Sequence, residues 1–589
     1  MMGRRGDAPA SAPVRGGPRR GAGVGILALG LALAGCGGEA PRDDAAEAAA
    51  QAAQAAADQT PDPEIAWNSG TIYFLLIDRF HNGNPSNDGA LGRRKDGAVL
   101  RSFEGGDLQG VLQRLREGWF DELGVTAIWM TPFVEQVAGT VDEGTGTTYG
   151  YHGYWARDWT RVDPALGTEA DLRAVVDEAH RRGIRVIMDA VINHPGPVTA
   201  QDPGWPDSWV RTEPTCAFQD YVSTVTCELV DGLLDFRTDS DAAVELPDFL
   251  VEKWQVEGRL ADERAELDDW FERTGYPRAP RYYVMKWLTD WVRELGFDGY
   301  RVDTAKHFEE SVSLELAQEA STAYEEWKSA NPDAFLINRP FWMMAEVYNY
   351  DVAGGRGFDF GDRTVDFFQY GYDALINFGF KARADGDLDA LYGSYAGILR
   401  TGPLRGLTMV NYASSHDDGS PLDPDRERPL ETATRLLLAP GMAQVYYGDE
   451  VARPLRVDGA VGDANLRSPM DWSAARSAAG RRVLDHWRLL GRFRAAHPAV
   501  GAGAHARIQA DPYVFSRVLE ANGLVDRVVV GLDQGTGPVT IPVAGVFPDG
   551  LTVRDAYSGA EAVVSGGTVT VSTASGVVLL EEVPAVEGG

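Results

Sequence analysis

Apolar and polar residues alternate in blocks along the middle of this chain. Short apolar runs, predicted to be buried strands, recur at 71–77, 125–130, 186–191, 297–302 and 341–347, with further candidates near 407–410 and 442–446. Between them the apolar positions shift to helical spacing. Over 168–182, Leu172, Val175, Val176 and Ala179 fall on one face. Thr168 is a suitable N-cap there, Asp171 holds the capping-box position and Gly183 ends the segment. Over 282–295, Trp287, Leu288, Trp291, Val292 and Leu295 share a face, and Gly296 stands where a left-handed C′ glycine belongs. Helices are also predicted over 108–123, 314–329 and 483–496.

The strand candidates are apolar throughout rather than alternating. That is the mark of parallel strands covered on both faces, joined by helices. About eight such β/α units fit the length, which predicts an α/β fold built on a (β/α)₈ barrel. The alternation pauses at 194–270, after the third strand, in a Gly-, Pro- and acid-containing stretch expected to form a loop-rich inserted subdomain. After Pro498 the texture changes to short β runs such as 528–530, separated by Gly, Asp and Pro, which predicts a C-terminal all-β sandwich. The expected plan is therefore a barrel over 67–193 and 271–498, an insert over 194–270 and a β domain over 499–589. Residues 37–66, rich in Ala, Gln, Asp and Pro without an apolar stripe, read as a tether.

Composition narrows the partners. The 589 residues carry a formal charge of −32, the wrong sign for a protein that neutralises nucleic-acid phosphates. Nothing in the sequence points to a protein partner. The three cysteines divide into one and two. Cys36 closes Leu33-Ala34-Gly35-Cys36 after an apolar run too short to span a bilayer and a basic segment ending Arg19-Arg20. The ending resembles a bacterial lipobox. It implies an exported protein, periplasmic or at the cell surface, whose signal peptide occupies 1–36 and whose membrane anchor is a lipid on Cys36. Export permits disulfides. Cys216 and Cys227, the only other cysteines, would then pair; the alternative is two free buried thiols.

Polar residues gather at the C-terminal ends of four strand candidates: Asp189 to His194, Arg301 with Asp303, Lys306 and His307, Glu346, and His416 with Asp417. In a barrel those ends converge on one face. Taken alone, Arg301 and Asp303 on one side of a strand could be a structural ion pair. Three carboxylates with two histidines, His194 and His416, fit glycosidic cleavage, in which one carboxylate attacks and another with a raised pKa protonates the leaving oxygen. A metal hydrolase or a proton-abstracting enzyme are the other readings of such a barrel mouth.

These four stretches resemble the conserved regions of the α-amylase family, glycoside hydrolase family 13, over about residues 72–530. Leu234-Asp235-Phe236-Arg237, Leu246-Pro247-Asp248-Phe249 and Arg339-Pro340-Phe341-Trp342 are most similar to bacterial periplasmic α-amylases, while Tyr151-His152-Gly153-Tyr154-Trp155 resembles cyclodextrin glucanotransferases. The resemblance implies a retaining enzyme that cuts α-1,4 bonds of starch, glycogen or maltooligosaccharides. Asp303 would be the nucleophile, Glu346 the acid and then base, and Asp417 the carboxylate that stabilises the transition state. Arg301 would hold Asp303 ionised. His194, His416, His152 and Tyr154 would bind the reacting glucose, Lys306 and His307 would lie toward the leaving side, and Asp189 would support Arg301. The sequence departs from many relatives at Ser415 before His416 and at Ala345 before Glu346.

Calcium is also implied. Asn193, Asp235 and the backbone carbonyl of His307 match one structural site. Asn82, Asn84, Asn87, Asp88, Gly105 and Asp107 match a second, although on spacing alone 82–88 also makes ordinary turns. A transglycosylase or cyclodextrin-acting relative is the alternative enzyme. A maltodextrin-binding surface lipoprotein is the non-enzymatic one, and it would be expected to have lost some of these carboxylates.

Overall fold

In a computed structural model describing residues 63–583, eight parallel strands close into a barrel. Cys36, the proposed leader and most of the tether lie outside the described residues. In chain order the strands are β1 (Thr71–Leu75), β2 (Ala127–Met130), β3 (Arg185–Ala190), β4 (Gly299–Val302), β5 (Trp342–Ala345), β6 (Ala374–Asn377), β7 (Thr408–Tyr412) and β8 (Met442–Tyr446). β1 pairs with both β2 and β8, which closes the ring. All eight strands are buried along their whole length, the physical reason for their continuous apolar runs.

Helix starts and stops follow local chemistry. Thr168 and Asp171 form a reciprocal capping box on Glu169–Arg181. Pro280–Leu295 ends at Gly296, which takes φ 76° with its α-carbon against the Trp327 ring, so a side chain there would meet both strain and overlap. The helix predicted over 108–123 is instead two, Leu108–Arg116 and Trp119–Glu122, because Gly118 between them turns left-handed at φ 80°. Residues 194–270 are less loop-like than expected. They hold Asp248–Val256, most of Leu260–Thr274 and a two-stranded ladder of Val210–Arg211 on Asp235–Phe236.

The C-terminal region has a six-stranded antiparallel sheet backed by the pair Gly537–Pro542 and Thr568–Thr573. Val514, Val529 and Leu580 of the larger sheet share one core with Ile541 and Val571 of the pair, which makes the sandwich. Among the described residues, no helix is long and apolar enough to cross a membrane.

Cys216 and Cys227 form a disulfide with their α-carbons 4.9 Å apart. Its ends are also joined by backbone bonds, Cys216 N to Glu228 O at 2.9 Å and Glu228 N to Pro214 O at 2.8 Å. Closing so short a loop removes about 3 kcal/mol of chain entropy from the open state. Replacing both cysteines by serine is therefore expected to lower hydrogen-exchange protection of the Cys216 and Glu228 amides by about that amount, and equal protection in both proteins would refute the estimate.

Candidate functional site

Strand register brings the charged residues together. Arg301 on β4 lies opposite Asp189 on β3, and Val302 lies opposite Ala345 on β5. The ladder continues one residue past the strands: Asp303 N donates to Ala190 O at 3.1 Å and Glu346 N to Val302 O at 3.0 Å. Asp303 and Glu346 therefore sit side by side on the C-terminal rim. One guanidinium serves three carboxylates. Arg301 Nη1 is 2.8 Å from Asp189 Oδ1 and 2.6 Å from Asp303 Oδ1, and its Nη2 is 2.9 Å from Glu346 Oε2.

The three acids are not equivalent. Asp189 is satisfied on both oxygens, since its Oδ2 accepts from Tyr154 OH at 2.7 Å and Trp129 Nε1 at 2.9 Å. Burial raises its pKa to about 6. Burial also opposes ionisation of Asp303, but Arg301 and His194 outweigh it and hold that carboxyl well below the usual range. His194 Nε2 is 3.3 Å from Asp303 Oδ2. Glu346 goes the other way. Burial, reinforced by the charges of Asp303 and Asp417, lifts it to about 8 in spite of Arg301. Two neighbouring carboxyls, one held as the anion and one as the acid, are thus set apart by environment.

Asp417 is more open, its side chain 31% exposed, and accepts from Ser415 Oγ at 3.3 Å. Burial works against its charge, but His416, Arg301 and Arg467 bring its pKa below the ordinary value. The Tyr154 ring stacks on His416 at 5.2 Å. The turn before it is closed by Tyr154 N donating to His152 Nδ1 at 3.1 Å, and Gly153, at φ 92°, packs where a β-carbon would come 2.5 Å from Pro132 O. Burial lowers His416 and His307 to about 4, so both are neutral at pH 7. Lys306 Nζ donates to Tyr348 O at 3.2 Å, and His307 Nδ1 lies 3.0 Å from Thr224 O in the disulfide loop. These groups surround one cavity of about 570 Å³ lined by His152, Tyr154, His194, Asp303, Glu346 and Asp417, with Lys306 and His307 on its wall.

Sequence reasoning missed several participants. Trp129 lies inside an apolar strand with no polar neighbour to flag it. Thr304 holds φ 48°, a strained value for a branched side chain, and its N–H donates to Glu346 Oε2 at 3.0 Å. Arg467 comes from the segment after β8 and donates from Nε to His416 O at 2.9 Å. Only the Asp303-Thr304 junction carried a local signal, a β-branched residue between a charged strand end and a turn.

The residues implied as calcium ligands fall into two groups in the structure. Asp235 is 1% exposed, its carboxylate oxygens make no well-formed hydrogen bond although the Asn193 side chain and the Leu229 amide lie near, and burial pushes its pKa to about 7. Asn193 Nδ2 is likewise unpartnered. In the other group Asn82 Oδ1 and both polar atoms of Asn87 are buried without partners, while Asn82 Nδ2 donates to Asp88 Oδ1 at 2.9 Å. Gly105 lies against them, and a β-carbon there would come 2.7 Å from Asp88 Oδ1. Asn84 Oδ1 is occupied by Ser86, and Asp107 caps the helix Leu108–Arg116 through Gly110 N while also accepting from Gly83 N and Asn84 N. Among the described residues no three or more His, Cys, Asp or Glu side chains are arranged to hold a metal ion by themselves, so each group would need amide and carbonyl oxygens beside its carboxylate.

The sequence profile described as "Alpha amylase, catalytic domain" matches residues 74–490. The periplasmic alpha-amylase of Escherichia coli (strain K12) is 36% identical over 496 residues, which cover 74% of this chain and 68% of that protein. A cyclomaltodextrin glucanotransferase of Geobacillus stearothermophilus is 25% identical over 508 residues; the match covers 83% of this chain but only 63% of that enzyme. Among solved structures, the alpha-amylase of Geobacillus thermoleovorans complexed with acarbose has a TM-score of 0.60 at 22% identity, covering 88% of this chain and 99% of that one.

Proposed function

Because the chain belongs to the α-amylase family of glycoside hydrolases, we propose that it is a retaining endo-acting α-amylase on starch, glycogen or maltooligosaccharides. The observation that carries this reading is the split between two carboxyls on one arginine: Asp303 is held ionised while Glu346 is raised to about 8. Asp303 attacks the anomeric carbon. Glu346 gives its proton to the leaving oxygen, then takes one from the water that hydrolyses the glycosyl-enzyme. Asp417 accepts hydrogen bonds from the reacting sugar, with His194 and His416 beside it and Tyr154 beneath. The test is product analysis by NMR with maltoheptaose. Short oligosaccharides released first as the α anomer are expected, and binding without turnover would overturn the proposal.

Transglycosylation is a second reading. Phe218, Leu229, Val230 and Leu233 form an apolar part of the cavity wall near His307. Such a surface favours an acceptor sugar over water. Cyclic or lengthened products in the same experiment would move the protein to that class.

Calcium fits the unpartnered oxygens of Asp235, with Asn193 and the carbonyl of His307, and, in the second group, Asn82, Asn87 and Asp88 beside Gly105. There it would tie loops to the barrel and take no part in bond cleavage. A site held at a hundredfold above its Kd contributes about 2.7 kcal/mol. Chelation is therefore expected to lower Tm by several degrees, and Asp235→Asn to reduce that shift; identical melting curves with and without chelator would exclude both sites. Export with a lipid on Cys36 completes the proposal, supported by the lipobox-like leader.

A further inference from the structure

Two carboxylates of the cavity wall are tied together by one buried arginine. Glu143 sits in the turn between the short strands Val141–Asp142 and Thr147–Thr148, and Asp463 in the helical segment Gly462–Arg467 after β8. Both line the cavity. Arg101 Nη1 is 3.0 Å from Glu143 Oε2, and its Nη2 is 2.8 Å from Asp463 Oδ1. The same guanidinium donates to Thr148 Oγ1 at 3.3 Å and to Val461 O at 3.0 Å, so it holds a second side chain on the first loop and the backbone of the other. Asp463 Oδ2 in turn lies 2.7 Å from Arg467 Nη2, and Arg467 holds the carbonyl of His416. A line of contacts thus runs from Glu143 to the catalytic cluster.

Its chemistry suits a neutral, hydroxyl-rich ligand. Glu143, Arg101, Asp463 and Arg467 alternate in sign and cancel, so this wall offers acceptors without net charge. Arg101 is 2% exposed, whereas the side chains of Glu143 and Asp463 are 43% and 33% exposed and retain free acceptor capacity. The turn is tied internally, because Asp142 Oδ1 accepts from Gly144 N at 2.9 Å and Gly146 N at 3.0 Å. Much of the ordering that a bound sugar would otherwise impose is complete in the folded protein.

We infer that Glu143 is a specificity-determining contact for the glucan, and that Arg101 is the positioning residue that presents it. The Glu143 carboxylate accepts hydrogen bonds from glucosyl hydroxyls on the retained side of the cleaved bond. That side is assigned within the proposed reading, which sets His416 beside the reacting glucose and Lys306 and His307 toward the leaving group. The line of contacts ends on His416, whereas Lys306 contacts Tyr348 and His307 contacts Phe218. The inference rests on the α-glucan reading of this cavity.

The test compares maltoheptaose with α-glucosyl fluoride, which has no retained-side unit beyond the reacting glucose. Loss of a hydrogen bond to a charged acceptor is worth about tenfold or more. Glu143→Ala is expected to lower the ratio of kcat/KM for maltoheptaose to that for the fluoride by about tenfold, mainly through KM. Glu143→Gln, which keeps an acceptor and the chain length, recovers part of it, and Arg101→Met falls at least as far as Glu143→Ala. General damage to the fold would depress both substrates together and leave the ratio where it was. An unchanged ratio in Glu143→Ala overturns the inference, and that variant decides the matter even if Arg101→Met does not fold. Wild-type protein that processes neither substrate defeats the glucan reading instead, and this inference with it.

Discussion

Asp303→Ala is expected to lower kcat on maltoheptaose by roughly 10⁴-fold or more, as removal of a covalent nucleophile does elsewhere. The sugar should still bind with a Kd within a few-fold of the parent, because the cavity wall is otherwise intact. The loss is large because no neighbour can substitute. Asp189 is filled by Arg301, Tyr154 and Trp129, and Glu346 is held as the acid. The fold should tolerate the change: Arg301 keeps Asp189 and Glu346 as partners. Azide tests the role directly. With α-glucosyl fluoride and azide, the alanine variant should form the β-azide, since a small anion takes the vacated space and only one inversion remains. Turnover of maltoheptaose at the parent rate would refute the assignment of Asp303.

The parts of this site that could be read in the sequence are local ones. Asp189 to His194, Arg301 to His307 and His416-Asp417 each combine a buried strand with the polar residues that leave it, so hydrophobic pattern and chemistry mark the same position. Barrel closure then decides what each one touches, and that was not legible. Trp129 and Tyr154 reach Asp189 from β2 and the loop after it, and Arg467 reaches His416 from beyond β8. β6 was not singled out, because Ala374–Asn377 follows a Tyr- and Gly-rich stretch with only the short helical turn Phe367–Tyr370 directly before it. Gly118 broke a helix that its apolar spacing would have carried through, since a left-handed glycine overrides periodicity. Arg101 and Glu143 gave no signal, because neither stands at the end of a barrel strand and their pairing joins segments 42 residues apart.

The pH dependence of kcat/KM should be set by the opposed states of Asp303 and Glu346. In the proposed mechanism Asp303 must be ionised to attack. Its pKa is depressed, so activity from this group is present through the neutral range and is lost only as pH falls through its low folded value. In the same mechanism Glu346 must carry its proton when the leaving oxygen departs. Its pKa is raised to about 8, so this contribution is complete at lower pH and is lost as pH rises through that value. The profile should therefore be broad on the acid side with a basic limb near pH 8. Asp417→Asn, which removes one of the charges that raise Glu346, should move that limb to lower pH. Glu346→Gln removes the limb with the acid. On maltoheptaose it should cost roughly 10²- to 10⁴-fold, the range for general acid catalysis. On α-glucosyl fluoride the loss should be far smaller in the first step, since fluoride departs without a proton. With Glu346→Ala and azide, the glycosyl-enzyme on Asp303 should be intercepted to give the α-azide, opposite to the product of Asp303→Ala. A basic limb that stays in place in Glu346→Gln, or the same azide anomer from both alanine variants, would show that the two carboxyls do not divide the work as their environments imply.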